Sequence, residues 1–95
     1  MSRGAILFRS DGTVNEVYPA NGKDFQLDQL KGIVGGWIEI INITRNVIMV
    51  VNEEGKGEKL PLNGMATVIA KAENAIYPWD YIAGDALMCA RDMVK

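Results

Sequence analysis

The feature that most constrains this chain is a pair of β-rich runs in its middle. Trp37-Ile38-Glu39-Ile40-Ile41-Asn42-Ile43 leads through Thr44-Arg45-Asn46 into Val47-Ile48-Met49-Val50-Val51-Asn52. Branched residues dominate both runs and a short polar break separates them, so they predict a hairpin with Arg45 at its tip. The second run has no polar face. Side chains of a strand point alternately to its two faces, so a strand that is apolar throughout has to be covered on both. It belongs near the centre of a sheet, under a helix on one side and under another layer or a subunit on the other. Glu39 shares a face with Trp37 and Ile41. It reads as a charge on an exposed or edge-protecting face; a buried acceptor in a pocket or interface is the other reading.

The remaining elements arrange themselves around this hairpin. Ala5 to Arg9 and Val14 to Tyr18 read as strands joined at Asp11-Gly12, a strong hairpin signal, with Pro19 ending the second. Asp24 predicts an N-cap for a helix of about ten residues. Its apolar stripe is Leu27, Leu30 and Val34, and Gly35-Gly36 forms the stop. Asn63 predicts the cap of a second helix with Met65, Ile69 and Ala72 near one face and Val68 beside it. Ala75 to Tyr81 is an aromatic loop. Gly84-Asp85 turns the chain into a last strand, Ala86 to Ala90, and a charged tail is expected to fray. The fold class that follows is α+β, with about five mainly antiparallel strands and two helices packed on one face of the sheet. The 95 residues predict a single compact domain, 1–95.

Composition narrows the chemistry. The chain has no His, which removes Ser-His-Asp and Cys-His catalysis and His-ligated metals. Its one Cys removes intrachain disulfides, and Cys89 reads as a small buried hydrophobe. A net charge of −2 speaks against DNA binding driven by phosphate neutralisation. No segment reaches the roughly 18–20 apolar residues that span a bilayer, and Ala5 to Phe8 is too short for a signal peptide. A cytoplasmic location and no membrane partner are the expectation.

Three groups of residues invite a functional reading. The loop Asn52-Glu53-Glu54-Gly55-Lys56-Gly57-Glu58-Lys59 sets glycines beside lysines, which could hold a phosphate. It lacks the full P-loop pattern, and its glutamates oppose an anion, so a solvated connection is favoured. Glu53 with Glu54, and Asp80 with Asp85, are the nearest carboxylate pairs for acid-base or cation chemistry; capping and turn roles are favoured for both. Trp79 and Tyr81 flank Asp80 in a loop, where a stacking surface for a base or a protein hot spot is the functional alternative to packing. No cofactor, metal or catalytic residue is assigned.

Four segments, in order, carry a family resemblance: Gly35-Gly36-Trp37-Ile38-Glu39, Asn52-Glu53-Glu54-Gly55-Lys56, Leu60-Pro61-Leu62-Asn63, and Asp80-Tyr81-Ile82-Ala83-Gly84-Asp85-Ala86-Leu87-Met88. Over roughly Leu7 to Met88 the chain resembles the small domain family catalogued as domain of unknown function 3846. That resemblance implies a compact α+β domain in a phage or mobile-element setting, and no established reaction. Gly64 stands where family members often carry a basic residue after the Asn of Leu-Pro-x-Asn.

These readings lead to a non-catalytic phage-type accessory protein. Its leading expected role is to inhibit host defence by sequestering a small anionic nucleotide-like signal between subunits. Arg45, Lys56 and Lys59 would supply phosphate contacts, and Trp79 and Tyr81 stacking. The alternative is a protein–protein interaction module that blocks a host enzyme or regulates a phage complex. A carboxylate and metal enzyme ranks third and direct DNA binding last. The doubly apolar strand and the small size also predict a homo-oligomer.

Overall fold

The computed structural model describes residues 3–94. Its centre is one sheet of five antiparallel strands, β1 (Ala5–Phe8), β2 (Val14–Val17), β3 (Ile38–Asn42), β4 (Val47–Asn52) and β5 (Ala86–Ala90), in the order β2-β1-β5-β4-β3. Two helices, α1 (Leu27–Val34) and α2 (Gly64–Ala72), complete the α+β architecture that the sequence predicts. A short 3-10 turn, Arg91–Met93, follows β5. Among the described residues, no helix is long and apolar enough to cross a membrane.

The apolar run of β4 has the double cover it requires. Ile48 and Val50 enter one cluster with Ala5, Leu7, Leu30, Val34, Leu87 and Met93, under α1. Met49 and Val51, on alternate positions, enter a second with Phe8, Ala66, Ala70, Ile82 and Ala86. Ile48, Met49 and Val50 are at most 1 % exposed, so neither face of the strand meets water. Helix packing on one face holds for α1, which touches β3, β4 and β5. The second cluster takes its helical residues, Ala66 and Ala70, from α2.

Three local expectations need correction. Helix α1 starts at Leu27, with Gln26 rather than Asp24 at its N-cap. The cause is Phe25, fully buried, whose N–H donates to the Met93 carbonyl at 2.7 Å in a bridge to the C-terminal segment. Asp24 instead accepts from the side-chain amides of Asn21 and Gln26. The same bridge overturns the expectation of a frayed tail, because Met93 is 1 % exposed. Lys95, the end of that tail, lies outside the described residues. At its other end α1 stops as expected: Gly35 adopts a left-handed φ of 84°, which glycine tolerates without a side-chain clash.

The third correction concerns α2. Its buried residues are Ala66, Thr67 and Ala70, while Met65 and Val68 are exposed. A polar network sets that rotation. Asn63 caps the helix, its Oδ1 accepting the Ala66 N–H at 3.1 Å. Its Nδ2 donates to the carbonyls of Phe8 at 2.7 Å and Gly84 at 2.9 Å. Thr67 donates its hydroxyl to the Asn63 carbonyl and accepts the Ile82 N–H. One buried side chain thereby ties β1, α2 and the strand approach to β5 together.

Replacing Asn63 by Ala removes the cap and leaves buried carbonyls without a donor. Asn63→Ala is expected to cost about 2–4 kcal/mol in urea unfolding monitored by far-ultraviolet circular dichroism. A loss below about 0.5 kcal/mol would show that water replaces the network without penalty.

Candidate functional site

A cleft of about 450 Å³ opens beside β3 and the end of β4. One wall is Glu39 to Asn42 with Val51 and Asn52; the other is formed by residues 75–77 and 80–83, and the loop after β4 supplies Glu53, Gly55 and Lys56. That loop lies close to the segment that leads into β5. The Gly55 N–H donates to Asn52, and a Cβ at Gly55 would stand 2.7 Å from the Ala83 carbonyl oxygen. Only glycine allows this approach. Asn52, 5 % exposed, steadies the same corner by donating to the Val34 carbonyl and accepting the Glu54 N–H.

The two sides of the cleft meet through charge. Lys56 forms an ion pair with Asp80, and the same Asp80 oxygen accepts the Tyr81 N–H at 2.7 Å. The Lys56 ammonium also lies 5.0 Å from the centroid of the Tyr81 ring, within cation–π range. The hydrogen bond from Lys56, followed by that from the Tyr81 amide, holds the Asp80 carboxyl below the usual carboxylate range. Three carboxylates, those of Glu39, Glu53 and Asp80, line the cleft beside the single ammonium of Lys56. Its electrostatic character is therefore acidic.

Exposed aromatics stand at the mouth. The rings of Tyr77 and Trp79 stack with centroids 4.9 Å apart and an interplanar angle of 1°. Tyr77 lines the cleft, and Trp79 is 78 % exposed. A stacked aromatic pair of this kind, wet on its outer side, has a large area to gain by contact.

Of the residues singled out in the sequence, the fold brings Lys56 and Tyr81 together on the cleft. Trp79 joins them at one remove, through Tyr77. Arg45 sits exposed at the β3–β4 tip, where its carbonyl accepts from the Arg91 guanidinium, and does not line the cleft. Lys59 is exposed in the turn after Lys56, with φ 57°, and also lies outside it. Tyr77 is the addition; its signal in the sequence was the Tyr-Pro-Trp triplet, which sets two rings either side of a fixed bend. The carboxylate pair Asp80 and Asp85 does not converge, since Asp85 accepts the Ser10 N–H and lies 3.9 Å from Arg9. Glu39 is exposed, on the edge strand. Among the described residues, no group of three or more Cys, Asp or Glu side chains is placed to hold a metal ion. Cys89 is buried, and burial pushes its thiol up to about 11.

The fold and the cleft define a small α+β domain with an open, acidic, aromatic-rimmed groove. The family model described as Domain of unknown function (DUF3846) matches residues 3–93, and the chain belongs to that family. Comparison with curated proteins and with solved structures found no match.

Two titrations check this geometry. Asp80 has a lowered pKa in the folded state, so the pair's contribution is present above the ordinary carboxylate value of 3.8 and fades as pH falls below it. In a carbon-13 NMR titration the Asp80 midpoint should lie below 3.8. In Lys56→Met it should rise, but only part of the way, because the Tyr81 amide bond remains. An unchanged midpoint would remove the ion pair. Cys89 should resist a thiol reagent at pH 8 in the native protein and react rapidly in urea; prompt native labelling would contradict its burial.

Proposed function

We propose that this protein is a non-catalytic interaction module, whose contact surface is the acidic cleft and the aromatic plate at its mouth. The stacked Tyr77–Trp79 pair carries this reading. Large aromatic rings lose few rotatable bonds on binding and recur at protein hot spots, and here two stand exposed and stacked together. Contact without turnover is supported by a sequence that lacks His and by a single thiol held protonated in the core. In the phage setting that the family resemblance suggests, and in the cytoplasm that the sequence leads one to expect, such a module would block a host enzyme or regulate a phage complex.

A second reading is favoured by one observation, the Lys56 ammonium beside the Tyr81 ring. Together with the stack it could receive a small anionic nucleotide-like signal, and sequestering that signal would inhibit host defence. Against it stand the three cleft carboxylates, the commitment of Lys56 to Asp80, and the distance of Arg45 and Lys59 from the groove.

The readings separate on immobilised protein exposed to a bacterial lysate. The first expects a retained macromolecule whose affinity falls roughly 30-fold in Trp79→Ala, as for a hot-spot residue. Retention of an ultraviolet-absorbing small molecule, released by Lys56→Met, would overturn it in favour of the second.

A further inference from the structure

The two edges of the sheet differ. The outer strands are β2 and β3. β2 carries Asn15 and Glu16, is followed by Pro19, and has Glu16 accepting the Tyr18 hydroxyl at 2.7 Å. Charge and proline at an edge discourage pairing with another chain. β3 also carries a charge, Glu39, but no proline follows it, and its Ile40 is 43 % exposed.

The register shows which backbone groups of β3 are already used. The Glu53 N–H donates to the Trp37 carbonyl at 2.8 Å, and the Ile43 N–H to the Val47 carbonyl at 3.0 Å. Both bonds lie in the register that opposes Glu39 to Val51 and Ile41 to Met49. Bonded and non-bonded pairs alternate along an antiparallel ladder. Trp37, Glu39, Ile41 and Ile43 therefore turn their backbone groups toward β4. Ile38, Ile40 and Asn42 turn theirs outward, where no described strand pairs with them.

We propose that a second copy of this chain occupies that edge, the two β3 strands pairing antiparallel about a two-fold axis at Ile40 and joining both five-stranded sheets into one. Centred there, Ile38 opposes Asn42 of the partner subunit and Glu39 opposes Ile41 of the partner subunit. All three outward residues then exchange backbone hydrogen bonds. Centring the axis on Glu39 would set like charges face to face, which is unfavourable. Centring it on Ile41 would leave Ile38 beyond the partner strand. The strand is thus self-complementary in one register. An isologous contact of this kind uses up the open edge on both copies, so assembly stops at the dimer. Because Glu39 and Asn42 line the cleft, the two grooves come to lie side by side across the axis. The pairing uses the backbone edge of the same strand, Glu39 to Asn42, that forms one wall of the cleft.

Light scattering on the full chain tests it. The unaltered protein should have the mass of a dimer. Ile40→Pro removes only an outward N–H, a change that edge strands tolerate, and should yield a folded monomer with a similar urea midpoint. Ile40→Cys should form a disulfide-linked dimer on mild oxidation, since directly bonded strand partners stand about 5.5 Å apart, within disulfide reach. The unaltered protein, whose Cys89 is buried, should not. A monomeric unaltered chain, an undiminished dimer in a folded Ile40→Pro, or an Ile40→Cys protein that does not cross-link would each overturn the proposal. If Ile40→Pro fails to fold, the cysteine variant decides.

Discussion

Strand β4 is apolar on both faces, and the rest of the architecture answers to that. Leaving either face wet would expose several large side chains, at roughly 1.5–3 kcal/mol for each Val, Ile or Met. The chain avoids this by splitting its core. Leu30 and Val34 of α1 close over Ile48 and Val50. Ala66, Ala70 and Ile82 close over Met49 and Val51. Ala66 and Ala70 are the buried residues that α2 adds to this second cluster. A domain of this size buries a modest fraction of its surface, and placing one strand between two clusters makes that burial effective.

The second cluster would be weak on apolar contact alone, and a polar clamp reinforces it. Asn63 satisfies two main-chain carbonyls and one helix N–H from inside the core. The same clamp rotates α2 so that Met65 and Val68 face outward. It also positions residues 80–84, and through them Asp80 and Tyr81, against Lys56. The cleft is consequently a by-product of core construction: its floor is the sheet, and its far wall is the segment that the clamp holds down.

Much of this fold was legible in the sequence because the signals were local. Val47–Asn52 and Ala86–Ala90 are strands with the bounds that their apolar runs suggest, and Gly35 ends α1 as a left-handed cap. The errors came where a distant residue intervened. Asp24 looks like a cap until Phe25 is drawn to Met93 across the sequence. Ile69 does pack against the second cluster, but Met65 and Ala72 look like part of the same inward stripe until Asn63 and Thr67 are pinned by Phe8, Gly84 and Ile82. The site follows the same pattern. Lys56 and Tyr81 were readable as polar and aromatic candidates, but their meeting is tertiary. Arg45 and Lys59 are exposed cations near the same loops, and nothing local distinguishes a cation that faces a groove from one that faces away.

The account stands on the two layers over β4 forming one cooperative unit. Native-state amide exchange across a urea series measures this directly, because each amide reports the opening that exposes it. Thr67 and Ala70 of α2 should open with the same free energy as Val50 of β4, and that value should equal global unfolding. If the α2 amides exchange through a much easier local opening while Val50 stays protected, then Met49 and Val51 have no stable cover and the central claim is wrong.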